Sequence, residues 1–212
     1  MTVYIIRHGE TEFNQIGIVQ GRGVDSDLNE KGQEQAAYFY EQYESVPFDF
    51  VMVSSLKRTY QTVAGFIEQK NIPHQQFPDL DEISWGTNEG KHPTAEMSET
   101  FRKITSDWEK GIFDSKIENG ESAAELNLRC QNIVSFLENL VSKENPVQYK
   151  NVLICTHGRT ISCLVTLLRE RPLSEINTFR NSNTGLYTFT YKNGKFIEDL
   201  KNDTRHLEGL KT

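Results

Sequence analysis

The sequence has little of what membranes, oxidising compartments and nucleic acids require. No stretch approaches the run of about 20 apolar residues that a membrane helix needs. The opening residues, MTVYIIRHGE, have neither a basic lead nor a long apolar run, so no signal peptide is expected and the cytoplasm is the default location. The three cysteines, Cys130, Cys155 and Cys163, are odd in number and sit in apolar segments. They read as buried free thiols in a reducing compartment, and the absence of any C-x-x-C pair argues against a zinc site. Lys and Arg form no run, and the net charge is -7, so no nucleic-acid partner is expected. No internal repeat, low-complexity tract or Pro/Gly/Ser linker divides the 212 residues, which read as one domain. A dianionic small molecule is not excluded, because a few well-placed cations suffice for it whatever the total charge.

What is present is an alternation of apolar runs and helical periods. Val3 to Ile6 reads as a buried strand that stops abruptly at Arg7-His8-Gly9. Residues 14 to 28 lack a helical period and read as a long loop. Asn29 is a candidate N-cap for a helix to about Tyr43. Phe48 to Val53 is a second strand, ending at Ser54-Ser55; Leu56, Tyr60, Val63, Ala64 and Ile67 then follow helical spacing. Residues 74 to 77 suggest a short third strand, and residues 79 to 92 have loop character. Helices are expected over 94 to 109 and from Ala123 to about Val141. Val152 to Cys155 is another strong apolar run, breaking at Thr156-His157-Gly158 before a helix from Thr160 to Leu168. Asn193-Gly194 between Leu186–Tyr191 and Phe196–Leu200 is a hairpin signal. The expected class is α/β: a three-layer sandwich, its central sheet mainly parallel with an antiparallel edge strand, and helices on both faces.

The repeated ending of strands in polar clusters carries the functional argument. The carboxyl ends of parallel strands share one sheet edge, where ligands bind. Arg7, His8, Arg58 and His157 are therefore expected to converge there. Two guanidiniums make forked, charge-assisted bonds to phosphate oxygens. A helix N-terminus beside His157 adds backbone donors. A neutral imidazole has a lone pair for attack at phosphorus. The second histidine would serve best charged, against the charge building on the transferring group. An acid must protonate the departing alkoxide, and Glu82 is the best placed, with Asp81 beside it as the competitor.

The blocks that carry these residues resemble a known family. Arg7-His8-Gly9-Glu10-Thr11 with Asn14, then Gln20-Gly21, then Asp25-x-x-Leu28-x-x-x-Gly32-x-x-Gln35-Ala36, open the pattern. Ser54-Ser55-Leu56-Lys57-Arg58-Thr59-Tyr60-Gln61-Thr62, Glu82-x-x-x-Gly86-x-x-Glu89-Gly90, Gly120-Glu121-Ser122 and Thr156-His157-Gly158 continue it. Asn181-x-x-Thr184-Gly185 and Asn202-x-Thr204-x-His206-Leu207 close it. Together they are similar to the histidine phosphatase superfamily, in its cofactor-dependent phosphoglycerate mutase branch, over nearly the whole chain. A lone R-H-G is weak; this many blocks in order are specific.

The resemblance implies a phosphoglycerate mutase-like fold and a metal-independent phosphomonoesterase that uses no cofactor. It implies that His8 becomes a phosphohistidine, that Arg7, Arg58 and His157 surround the phosphoryl group, and that Glu82 is proton donor and then acceptor. Asn14, Gln20, Gly21 and Gly158 are the implied substrate contacts. The partner is a small phosphorylated substrate, with no nucleic acid and no membrane. Oligomeric state stays open, a homodimer included. Arg22 and Arg159 stand between substrate contacts and solvated cations, and His206 reads as a tail contact. The segment from Lys91 to Asn119, with Arg102, Lys103, Trp108, Lys110 and Phe113, is expected to cover the pocket. Three alternatives stand beside the phosphatase: a phosphoglycerate mutase, a non-enzymatic phospho-ligand module, and a metallohydrolase using His8 and His157. The short interval between the Glu82 and Gly120-Glu121 blocks favours hydrolysis over the mutase. Two arginines beside the histidines disfavour a metal.

Overall fold

The computed structural model describes residues 1–142, 145 and 147–209. Six strands form one sheet: β1 (Thr2–Arg7), β2 (Phe50–Val53), β3 (His74–Gln76), β4 (Asn151–Thr156), β5 (Leu186–Lys192) and β6 (Lys195–Asp203), in the order β3-β2-β4-β1-β5-β6. β3, β2, β4 and β1 are parallel; β5 runs antiparallel to β1, and β6 to β5. The expected antiparallel edge is thus a hairpin, turned at Asn193 (φ 52°) and Gly194 (φ 80°). Two left-handed residues in succession are what a two-residue hairpin turn needs.

The period-two alternation of the central strands builds a core on each face. Val3, Ile5, Met52, Val152, Ile154 and Phe189 join one core with Leu126, Cys130 and Ile133 of α5 (Ala123–Leu140) and Ile161, Leu164 and Val165 of α6 (Gly158–Leu168). Ile6, Val51, Val53, Leu153 and Cys155 point the other way. They meet Phe39 of α2 (Glu30–Tyr43) and Val63 of α3 (Lys57–Ala64). Helices therefore cover both faces, as a three-layer α/β sandwich requires.

Local chemistry sets the helix starts. Asn29 caps α2 through the Gly32 amide, and Ser122 with Glu125 closes a capping box on α5. The expected loop over 14 to 28 begins with a one-turn helix, α1 (Glu12–Gln15), which the Thr11–Asn14 capping box starts and a full helical period could not reveal. α3 runs on into a π-helical turn, Gly65–Gln69. A Cβ on Gly65 would lie 2.7 Å from the Tyr40 ring, so this turn depends on a close α2–α3 approach that periodicity does not encode. The remaining helix, α4 (Ala95–Glu109), is capped by Thr94 and buries Ile104 and Trp108.

β1 and β4 are neighbours, yet the chain leaves them for opposite faces, to α2 and α6. This is a topological switch point, and the crevice it opens lies beyond their carboxyl ends. The register pairs Arg7 with Thr156, so His8 and His157 are the next residues out on adjacent strands.

Candidate active site

His8 and His157 face each other with ring centroids 5.0 Å apart, and both are buried. His8 Nδ1 lies 2.7 Å from the Gly9 carbonyl oxygen. A carbonyl only accepts, so Nδ1 carries the proton and Nε2 keeps its lone pair. Burial, then Arg58 and Arg7, hold the His8 pKa well below its ordinary value, which keeps the ring neutral. The backbone is pinned as well: the His8 amide donates to Thr156 O at 3.0 Å, and Thr62 Oγ1 accepts from the Gly9 amide at 2.9 Å.

His157 departs from the expectation of a charged partner. Arg58 Nε donates to its Nδ1 at 3.3 Å, which requires a lone pair there. Its Nε2–H then donates to Ser54 Oγ at 2.8 Å. Burial, Arg58 and His8 hold its pKa well below the ordinary value. A protonated ring here would set a third positive charge beside Arg58 and Arg7. His157 is accordingly neutral and braces Arg58, and the positive charge of the site resides on guanidiniums.

Arg58 is 1% exposed, although it sits in the first turn of α3 where the helix dipole opposes it. Val24 O accepts from its Nη1 at 2.6 Å. Arg7 is tied by Nη1 to Asn181 O at 2.8 Å, while its buried Nε has no hydrogen-bond partner. Among the described residues neither arginine forms an ion pair within 4 Å. Two desolvated cations held without a carboxylate make an anion site.

Glu82 and Asp81 separate cleanly. Asp81 accepts from the Ser55 amide at 2.8 Å and pairs with Arg22 at 3.5 Å, so it is a loop anchor. Glu82 projects to the N-terminus of α6, accepting from the Arg159 and Thr160 amides at 3.2 Å. A Cβ on Gly158 would stand 3.6 Å from Arg7 Nε and 3.8 Å from Glu82 Oε2, so the acid and the orphaned guanidinium nitrogen flank the same glycine. The Glu82 loop is fastened along its length. Arg129 holds Asp79 O at 2.7 Å, Thr156 holds Leu80 O at 2.5 Å, and Thr160 Oγ1 holds Asp81 O at 2.7 Å. Arg129 itself makes a bidentate pair with Glu121 at 2.7 and 2.9 Å.

The implied substrate contacts divide. Asn14 Oδ1 accepts from the Thr11 amide and from Asn183 Nδ2, leaving its own amide group as the donor. Gln20 spends both ends of its amide inside the loop, donating to Thr11 Oγ1 at 2.7 Å and accepting from Ser26 Oγ at 2.6 Å. Its polar group shapes the loop. Gly21 is glycine because a Cβ would stand 2.1 Å from Glu89 Oε1 and 2.6 Å from Ile83 O. Glu89 joins the two loops, accepting from the Gly23 amide at 2.8 Å and the Trp85 amide at 2.7 Å. Arg22, 41% exposed at its side chain, is committed to Asp81 and Pro78 O rather than to the crevice. His206 is buried against Phe39, with Nε2 on Thr184 Oγ1 at 3.0 Å, a tail contact as expected.

Sequence reasoning missed Asn183, whose Nδ2 donates to His8 O at 2.9 Å, and Asn181, whose Nδ2 donates to Gly158 O at 2.6 Å. The Asn181-x-x-Thr184-Gly185 block was their only signal. In the 91 to 119 segment, Trp108 is fully buried, and Phe101 packs edge-on to Trp85 at 5.2 Å. Lys103 and Lys110 are exposed. Met97, Phe101 and Arg102 line an apolar cavity of about 430 Å³ with Val19, Gln20 and Trp85. Neither histidine lines that cavity.

Comparison with known proteins identifies relatives over nearly the whole chain. A family model described as "Histidine phosphatase superfamily (branch 1)" matches residues 3–204. The adenosylcobalamin/alpha-ribazole phosphatase of Salmonella typhimurium is 29% identical over 85% of this chain and 85% of its own. A putative phosphoserine phosphatase 2 of Hydrogenobacter thermophilus is 30% identical, covering 87% of this chain and 86% of that one. A solved structure of a mutant phosphoserine phosphatase from Entamoeba histolytica, in complex with phosphoserine, superposes with a TM-score of 0.80 at 27% identity, covering 97% of this chain and 98% of that chain.

Proposed function

The chain belongs to the histidine phosphatase superfamily, and from that premise we propose that it hydrolyses a small phosphomonoester through a phosphohistidine on His8. The observation that carries the proposal is the free Nε2 lone pair of a neutral, buried His8 beside two unpaired guanidiniums. The Nε2 lone pair attacks phosphorus, and the P–O ester bond breaks. Glu82 gives its proton to the departing alkoxide. Water then attacks phosphorus, the P–N bond breaks, and Glu82 takes the proton from the water. Nδ1–H stays on Gly9 O throughout, so the ring needs no turn between the two halves. Arg7 and Arg58 bind the phosphoryl oxygens, with the Asn14 amide as a further donor. His157 and Ser54 fix the plane of Arg58, and Asn183 fixes the His8 backbone. Proton transfer at Glu82 contributes about 10²–10⁴-fold.

Residues 91 to 119 serve as the cover, with Phe101 and Trp108 closing over Trp85 beside the Glu82 loop. The relatives named as an adenosylcobalamin/alpha-ribazole phosphatase and a putative phosphoserine phosphatase support phosphomonoester hydrolysis. The buried thiols of Cys130, Cys155 and Cys163 fit a reducing, cytoplasmic setting.

His8→Ala is expected to abolish turnover, and rapid quench of the wild type with substrate should trap an acid-labile phosphohistidine at His8. Near-normal rates in His8→Ala would end this mechanism. Glu82→Gln should impair alkyl phosphates more than aryl phosphates, whose leaving groups need little protonation; equal losses would remove Glu82 as the acid. With 3-phosphoglycerate, phosphate release should exceed 2-phosphoglycerate formation, and the reverse would make the protein a mutase.

A further inference from the structure

Thr184 is buried in a conformation that its residue type resists. Its φ is 52°, in the left-handed region, where a β-branched side chain is strained. The turn it belongs to grips the nucleophile's strand at three points. The Thr184 amide donates to Arg7 O at 3.0 Å, Asn183 Nδ2 donates to His8 O at 2.9 Å, and Arg7 Nη1 donates to Asn181 O at 2.8 Å. The turn is held from its outer side by residues on and after β6. Asn202 Oδ1 accepts from the Ser182 amide at 2.9 Å, and a Cβ on Gly185 would collide with that oxygen. His206 lies in a 3-10 turn (Arg205–Leu207), with its ring against Phe39 and Tyr43 of α2. Its Nε2 reaches Thr184 Oγ1 at 3.0 Å.

Acceptors fix the direction of these bonds. Thr184 Oγ1 donates to Asn183 O at 2.8 Å, so its hydrogen is spent and it can only accept from His206. His206 is therefore the Nε2–H tautomer, and its buried Nδ1 lone pair meets no partner among the described residues. The result is a chain of donors, His206 Nε2–H to Thr184 Oγ1–H to Asn183 O, which fixes the peptide joining Asn183 to Thr184. From the other side of that residue, Asn183 Nδ2 fixes His8 O. A buried ring nitrogen left bare is a costly way merely to fill space beside Phe39, where an apolar side chain would serve. We propose that His206 is a positioning residue for phosphoryl transfer: it clamps Thr184 in the left-handed conformation, so that Thr184 and Asn183 hold the successive carbonyls of Arg7 and His8. This rests on the phosphatase reading with His8 as nucleophile, and it adds a requirement that lies outside the crevice.

The test measures kcat on p-nitrophenyl phosphate and on an alkyl phosphate, with thermal melts to establish that each variant is folded at the assay temperature. His206→Ala should lower kcat by about 10- to 100-fold, the scale of a small misplacement of reacting groups. The loss should be equal on both substrates, because the nucleophile and not the acid is displaced. His206→Gln keeps an N–H donor and should recover part of the rate. The decisive pair is at Thr184, where both replacements remove the hydroxyl but only glycine takes the left-handed conformation freely. Thr184→Ala should match the loss in His206→Ala, and Thr184→Gly should turn over about 10-fold faster than Thr184→Ala. Adding His206→Ala to Thr184→Gly should then cost no further rate, since the clamp has nothing left to hold. This pair carries the test even where His206→Ala does not fold. Equal rates in Thr184→Ala and Thr184→Gly would overturn the inference. So would a folded His206→Ala with a lowered Tm and a wild-type kcat, the signature of a merely structural contact. No turnover of either substrate by the wild type would instead overturn the phosphatase reading, and the inference with it.

Discussion

Acidification from pH 7.5 to 5.5 should strip this protein of about 4 kcal/mol of stability through its histidines alone. His8 and His157 are held neutral, well below the ordinary pKa of 6.5, and His206 is pushed down to about 4. In all three, burial is the leading cause. The folded pKa lies below the unfolded one, so below pH 6.5 the unfolded chain binds more protons than the native one. Stability is therefore full above about pH 6.5 and declines as pH falls towards the folded values. At pH 5.5 an unfolded histidine is about nine-tenths protonated. Each native neutral histidine then forfeits about 1.4 kcal/mol relative to pH 7.5, and three forfeit about 4 kcal/mol, against a total of about 5–15 kcal/mol for an ordinary domain. Most unfolded carboxylates titrate lower, below about pH 5. Asp81, raised by its burial, works in the opposite direction and trims the loss. Urea denaturation at pH 7.5, 6.5 and 5.5 measures this directly, with a local slope of about 3.7 kcal/mol per pH unit at pH 5.5. His206→Leu should reduce that slope by about a third. A loss below about 1 kcal/mol over this interval would mean that the site holds charged histidines, and the brace assigned to His157 would fail with it.

Other predictions follow from the network behind the Glu82 loop. Arg129→Met leaves the Glu121 carboxylate buried without its bidentate partner, their side chains being only 8% and 11% exposed. It should cost about 3–5 kcal/mol, read in thermal melts at about 2–4 °C per kcal/mol. Adding Glu121→Gln, which keeps an acceptor for the Ser84 amide, should recover much of that loss; no recovery would argue against an unpaired-charge penalty. Glu89→Ala frees the Gly23 and Trp85 amides together, and kcat on alkyl phosphates should fall by about 10- to 100-fold through displacement of the Glu82 loop. If KM alone rises, Glu89 serves the substrate loop instead.

Much of the architecture was legible because it follows short-range rules. The central strands announced themselves as apolar runs, Asn29 as a cap, and Asn193-Gly194 as a hairpin. The elements that escaped are those set by contacts distant in sequence. The π-helical turn at Gly65 answers to Tyr40 of another helix. The one-turn α1 is too short for a period. The division of labour between Glu82 and Asp81 depends on which of two adjacent carboxylates meets the start of α6 and which meets Ser55.

By itself, the sequence determined which residues stand at the strand exits and therefore which chemistry gathers at one edge: Arg7-His8, Ser54 with Arg58, and Thr156-His157. Only the tertiary structure decided their protonation and their tasks. Whether His157 is a charged clamp or a neutral brace turns on Arg58 Nε reaching its Nδ1 across 99 residues of chain. Whether Gln20 contacts substrate or shapes its loop turns on where Thr11 and Ser26 fall. Whether Arg159 is a solvated cation or a half-buried one turns on the aromatic walls supplied by Trp85 and α4. Residue type fixes what a side chain can do. Burial and hydrogen-bond partners fix which of those things it does, and both come from segments that no local pattern connects.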